Sequence, residues 1–164
     1  MAAEGKSSLM PRGYTLHPGF PSVPEYLHLR AASGLTPKTE AQATAIPSGS
    51  WYGCYIDFVP EDVGDADGER PKPVRVGMGR IIGDGGWYFH IADMAVLPEH
   101  QRKGLGDAIV KHLLAHIKAN AAEGDPYVTL FADPPGRKLY ARNGFQDAAP
   151  LQLGMQMGKG WHLQ

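Results

Sequence analysis

A single cysteine, Cys54, in a chain of 164 residues leaves no partner for an intramolecular disulfide and fits a reducing compartment. Excess charge of one sign is missing too. Sixteen Lys and Arg stand against 17 Asp and Glu, a formal net charge of -1, so no global basic field favours a nucleic acid. No apolar run approaches the roughly 20 residues that span a bilayer. The N-terminus, MAAEGKSSLMPRG, lacks the continuous apolar core of a secretory signal. Metal-binding patterns are also wanting. The acidic stretch PEDVGDADGERPKP has no EF-hand spacing, and the pair His112 and His116 lacks the glutamate of a His-Glu-x-x-His zinc motif. These absences point to a cytoplasmic domain with no metal, no membrane partner and no nucleic-acid partner, and they leave a homodimer open. The length suits one real core and not two large ones.

Glycine and proline are plentiful, 21 and 14 residues, and they punctuate the chain into short elements. Residues 1–11 are small and polar and read as a flexible N-terminal arm, leaving 12–164 as a single domain. YTLHPG predicts a short strand, and SVPEYLHLRAASGL a helix stopped by Gly34. TPKTEAQATAI predicts a second helix, with Thr36 as N-cap, Pro37 at the first helical position, and an end before Pro47. WYGCYIDFV is rich in aromatic and β-branched residues and predicts a strand. The acidic stretch after it reads as an exposed hairpin tip. VRVGMGRII, GDGG and WYFHIADMAVL predict a hairpin with a glycine turn. A helix from about Gly104 to Ala122 places Leu105, Ala108, Ile109, His112, Leu113 and Ile117 on one stripe, with His116 toward solvent. YVTLFA predicts a strand, PPGRKLYARNG a short helix stopped by Gly144, and LQLGMQM a last strand. Three consecutive strands ahead of the long helix indicate a mixed α/β sheet and not a doubly wound one.

The most informative stretch is VLPEHQRKGLGDAIVKHLL. It puts Gln101, Arg102, Lys103, Gly104, Leu105 and Gly106 where a strand hands over to a helix. Glycine there weakens the helix by roughly 1 kcal/mol relative to alanine; the gain is close approach of bare backbone N–H groups to an anion. The Walker A motif is excluded, because no Gly-Lys-Ser/Thr follows a four-residue spacer, and the three-glycine Rossmann fingerprint is absent. Two glycines with two cations ahead of them suit a diphosphate at a helix N-terminus.

DMAVLPEHQRKGLGDAIVKHLL resembles the acyl-CoA-binding motif of the GNAT superfamily of N-acetyltransferases. YVTLFADPPGRKLYARNGF is similar to that family's downstream strand, loop and helix ending in Leu-Tyr-x-x-x-Gly-Phe. Both matches stand in the family's order, and together they span about residues 74–157. The resemblance implies a mixed, mostly antiparallel central sheet, splayed at an acetyl-CoA cleft and flanked by about four helices. It implies acetyl-CoA as co-substrate, with its pyrophosphate on Gln101, Arg102, Lys103, Gly104, Leu105 and Gly106. Further contacts would come from Met94, Ala95 and Val96, from Asp133, where many members carry Asn, and from Arg137 and Lys138. Tyr140 matches the tyrosine that gives a proton to the departing CoA thiolate. Asp93 stands where several members put an acidic residue and is the candidate base, with Glu99, His90 or a water chain with no single base as alternatives; a structural hydrogen bond is the competing role. Strict alternation puts Asp93 and Val96 on opposite faces of the strand, unless a bulge intervenes.

The acceptor side is read from aromatic residues. Tyr26, Leu35, Tyr52 and Phe89 are the candidate lining, and few acids beyond Glu40 accompany them, which disfavours a polycation. The expected acceptor is a small primary amine, arylalkylamine- or amino-sugar-like. Rival readings are acetylation of a protein lysine or N-terminal amine, and a non-catalytic acyl-CoA-binding domain.

Overall fold

The computed structural model describes residues 10–60 and 71–160. The arm expected at 1–11 and the hairpin tip after Phe58 fall mostly outside the described residues. Two compact units are present, Met1–Leu130 and Phe131–Gln164.

The first unit carries one five-stranded sheet in the order β1-β2-β3-β4-β5. Its strands are β1 (Tyr14–Pro18), β2 (Tyr52–Phe58), β3 (Val74–Gly83), β4 (Tyr88–Val96) and β5 (Tyr127–Thr129). The first four pair antiparallel, and only β4 with β5 is parallel. Four helices belong to this unit: α1 (Val23–Ala32), α2 (Glu40–Thr44), α3 (Ile46–Gly49) and α4 (Leu105–Asn120). The apolar stripe of α4 seats Leu105, Ile109, Leu113 and Ile117 against the sheet, and Val110, not on the expected stripe, is buried with them. No helix among the described residues is long and apolar enough to cross a membrane.

Alternation along β3 assigns the two faces. A Cβ on Gly79 would stand 2.6 Å from Ile109 Cγ2 of α4, so the bare glycine lets that helix sit close on the sheet. Arg80, one residue on, reaches the other face, where its partner Asp93 also meets α1. Helices α1 and α4 therefore cover opposite faces.

Two expectations change. The N-cap of α2 is Thr39 and not Thr36: the Thr39 hydroxyl accepts from the Gln42 amide at 3.2 Å, and the Gln42 side chain accepts from the Thr39 amide at 3.0 Å. A reciprocal capping box outweighs a Thr-Pro pair without the matching residue three places on. Pro47 then falls inside α3, a separate turn of helix.

The second unit holds α5 (Arg137–Arg142) after a 3-10 turn at Pro134–Gly136. LQLGMQM forms no strand. Leu151, Leu153, Met155 and Met157 are exposed, the first at 93%. An alternating pattern becomes a strand only when a neighbour supplies the ladder, and no strand pairs with this segment among the described residues.

Candidate acyl-CoA site

Strand β4 builds the centre of the site. It pairs with β5 only over Tyr88↔Tyr127, Phe89↔Val128 and His90↔Thr129, so among the described residues 91–96 have no strand partner on that edge. On the other edge the register with β3 slips: Met78 faces Ala95, but Arg80 faces Ala92. The extra residue on β4 makes a bulge at Asp93 and Met94, and Asp93 takes the left-handed conformation with φ 55°. The bulge is the break in alternation on which the relation of Asp93 to Val96 depends.

Val96 is oriented by its neighbours. The Leu97 amide donates to the Val76 carbonyl at 2.9 Å, which places 97 and 95 in hydrogen-bonded positions against β3. In an antiparallel ladder the intervening residue turns both backbone groups the other way. The Val96 carbonyl accordingly accepts from Gln101 Nε2 at 3.0 Å, and its N–H points to the same open edge.

The loop that follows is a cradle of backbone donors. Arg102 (φ 61°) and Gly104 (φ 82°) are both left-handed, and Gly104 caps α4. The first intrahelical bond runs from Ala108 to the Gly104 carbonyl, so the Leu105 and Gly106 amides have no intrahelical acceptor. A Cβ on Gly104 would meet no protein atom within 4 Å. Open space in front of a helix N-terminus suits an anion. Among the described residues no group of three or more His, Cys, Asp or Glu could hold a metal.

Lys103 is exposed but tied back to its neighbours. Its ammonium donates to the Tyr14 hydroxyl at 3.0 Å and to the Glu99 carbonyl at 3.1 Å.

Asp93 is the most heavily partnered acid of the site. Tyr26 donates its hydroxyl at 2.6 Å, Arg30 Nη1 donates at 2.6 Å and Arg80 Nε donates at 2.6 Å. Burial pushes its carboxyl up, but the bonds from Tyr26 and Arg80 and the charges of Arg80 and Arg30 prevail and hold it below the usual range. A carboxylate so held is a weak proton acceptor at neutral pH, which favours the structural role. The cluster reaches further: Arg30 binds the Thr36 carbonyl through Nε (3.0 Å) and Nη2 (2.7 Å), and Arg80 Nη1 donates to the Ser50 hydroxyl at 3.1 Å. One carboxylate thus fastens α1, the loop after it and β3 to the bulge.

Of the candidate acceptor residues, Tyr26 is at Asp93, and the Leu35 amide donates to the Arg30 carbonyl in the loop that Arg30 ties. The other two lie elsewhere. Phe89 is fully buried beneath Trp51, and Tyr52 donates to or accepts from His112 at 2.8 Å. His116 stacks face-on to Tyr52, with ring centroids 3.5 Å apart, and does not simply face solvent. His90 pairs with the Thr129 hydroxyl at 2.9 Å, and Glu99 sits in the exposed 3-10 turn Pro98–His100. A small crevice is lined by Phe20, Pro21, Tyr26, Ile46, Met78 and Arg80 beside Asp93.

In the second unit, the Tyr140 ring packs on Gly136, whose missing Cβ leaves it room, and edge-on to Phe145. Burial and the nearby Asp133 carboxylate push its hydroxyl pKa up. Asp133 precedes the 3-10 turn, and Arg137 and Lys138 open α5, all three exposed.

The comparisons decide the family. The model of the acetyltransferase (GNAT) domain matches residues 66–147, half of the chain. The chain belongs to the GNAT acetyltransferase family. A structure from meticillin-resistant Staphylococcus aureus, described as a protein of unknown function and probable acetyltransferase, is similar at 32% identity and TM-score 0.74, over 88% of this chain and 98% of that one. A GNAT family acetyltransferase from Streptococcus pneumoniae is similar at 24% identity and TM-score 0.63, over 88% and 96%. The ribosomal-protein-S18-alanine N-acetyltransferase of Escherichia coli shares the fold at 18% identity and TM-score 0.59, over 82% and 79%. No curated protein matches the chain. The family generally uses acetyl-CoA as its donor, and the expected mixed, mostly antiparallel sheet is present.

Residues that matter here but escaped the sequence reading are Arg30, Arg80, Tyr14 and His100. Arg30 left one signal: it lies four residues from Tyr26, so both share a helix face that the apolar pattern assigns to the core.

Proposed function

We propose that this acetyltransferase moves the acetyl group of acetyl-CoA to a small primary amine by direct attack in a ternary complex. The observation that carries this is the edge of β4 at 91–96, which has no strand partner among the described residues and to which the Val96 N–H points by alternation, next to the loop at 101–106. Backbone donors there suit the diphosphate, and the Val96 N–H suits the thioester oxygen, which gains negative charge as the amine adds. Met94 and Ala95 bring the strand to that point. The neutral amine adds to the thioester carbon, and the C–N bond forms as the C–S bond breaks. The proton lost by the nitrogen passes to solvent; Tyr140 is the acid that gives the thiolate its proton, and the phenol is restored from solvent. That assignment rests on the Leu-Tyr-x-x-x-Gly-Phe match. It is supported by a raised pKa, which keeps the phenol protonated at neutral pH. Asp133, Arg137 and Lys138 are the contacts proposed for the rest of the CoA.

The charge beside the crevice supports this acceptor class. Asp93 is neutralised by two guanidinium groups, which leaves no negative charge for a polycation, and the walls are largely apolar. That charge balance disfavours a polyamine and leaves a small apolar or aromatic amine as the proposed acceptor. Arylalkylamines are expected to show higher kcat/KM than lysine-bearing or N-terminal peptides; the opposite order overturns the small-molecule assignment.

No acyl-enzyme is expected. Cys54 is fully buried, and burial pushes its thiol up to about 12, so almost no thiolate exists at neutral pH. Initial rates at varied acetyl-CoA and amine should give intersecting lines. Parallel lines with an acetyl adduct on Cys54 contradict the scheme.

The cradle has its own test. A side chain at Gly104 enters the space given to the diphosphate. Gly104→Val should weaken CoA binding far beyond the roughly 1–3 kcal/mol of backbone strain it adds. Gly104→Asn, which tolerates the left-handed conformation better, should weaken it too. A folded variant with unchanged calorimetric affinity removes the site from this loop.

A further inference from the structure

We infer that Tyr14, at the far edge of the sheet, is a positioning residue for the CoA-binding loop, and that Lys103 serves that loop through Tyr14 and not as a direct partner of the diphosphate. The inference rests on the reading of 101–106 as the diphosphate site.

One phenol holds two points of the loop. The Tyr14 hydroxyl lies 2.8 Å from His100 Nδ1 and accepts from Lys103 Nζ at 3.0 Å. Those two residues bracket Gln101 and Arg102. Arg102 is a non-glycine residue in the left-handed region, a conformation that persists only where its surroundings enforce it. Fixing the chain on both sides of Arg102 is such an enforcement.

Proton counting closes the arrangement. An ammonium only donates, so the Tyr14 oxygen accepts from Lys103, and its own proton is free to go to His100 Nδ1. That direction takes His100 as neutral, with its proton on Nε2. Burial and the Lys103 charge push its pKa down, against the opposing pull of Glu99, which agrees with that state. The anchor itself is firm. Tyr14 is 9% exposed, packs on Phe58 at 4.6 Å between ring centroids, and is paired through β1 to Phe58 of β2; Phe58 also meets the His100 ring at 5.0 Å. Lys103 completes the contact by donating to the Glu99 carbonyl at 3.1 Å.

The experiment is calorimetric titration of CoA into the wild type, Tyr14→Phe, Lys103→Met and the double variant, with steady-state kinetics on each. Tyr14→Phe keeps the packed ring and removes only the hydroxyl. Each single variant should raise Kd by about three- to tenfold, the effect of a hydrogen bond. The double variant should be no worse than the poorer single, because both remove the same brace. The loss should fall on KM for acetyl-CoA and not on kcat at saturation, since no group at the reacting carbon changes. Wild-type affinity for Tyr14→Phe overturns the inference, and so do multiplicative losses in the double variant, which a lysine bonded directly to phosphate would give. If the wild type itself fails to bind CoA, the reading of the loop falls as well, and that outcome is distinct from both others.

Discussion

Tyr140→Phe should lower kcat by about 10²–10⁴-fold, the usual contribution of a positioned general acid, with little change in KM for acetyl-CoA. The ring remains to pack on Gly136 and Phe145, so folding should survive. The hydroxyl alone is removed, and it is needed only as the thiolate departs. The leaving group supplies an internal control. A phenol matters most when the thiolate leaves poorly, so a more acidic, activated thioester should partly rescue the variant. An unchanged kcat with acetyl-CoA in a folded Tyr140→Phe protein makes Tyr140 a packing residue.

Asp93→Asn should be the most damaging single change to stability. Asp93, Arg30 and Arg80 have side chains only 11%, 8% and 14% exposed. Removing the carboxylate leaves two largely buried guanidinium groups facing each other, and breaking such a pair costs about 3–5 kcal/mol. The amide cannot replace the charge, and its NH2 group would face a guanidinium donor. Because the folded pKa of Asp93 lies below its unfolded value, its contribution is complete above about pH 4, the ordinary range of an aspartate, and is lost as pH falls through the lowered folded value. The stability gap between wild type and variant should therefore be constant near neutrality and close in acid. Chemical denaturation at a series of pH values measures it. A variant as stable as the wild type at pH 7 shows that the cluster holds nothing together.

The sequence announced the site more clearly than its wiring. Strand β4, the turn at 101–106 and α4 were legible because glycine, proline and apolar spacing are local signals, and the two motif matches fell in one half of the chain. Contacts between distant segments leave no such mark. The Tyr14–His100 pair spans 86 positions and Tyr26–Asp93 spans 67. Lys103 looked like a phosphate cation because its neighbours in sequence are the loop, while its partner in space is β1. Asp93 looked like a base because an acid near a thioester invites that role; its pKa is lowered by Tyr26 and the two arginines, which come from other elements. The bulge at Asp93 has no sequence signature of its own, since it arises from register against Gly79. LQLGMQM failed for the opposite reason: its alternation is real, but alternation states a face and not a neighbour.

Acetyl transfer itself is the most direct test of the account. The purified chain is incubated with acetyl-CoA and a panel of primary amines, free CoA thiol is followed in time, and the amines are then weighed by mass spectrometry. The account predicts thiol release that depends on the amine, matched mole for mole by one acetylated product, and abolished in Gly104→Val. Thiol release that ignores the amine, or binding of acetyl-CoA with every amine returned unmodified, contradicts it.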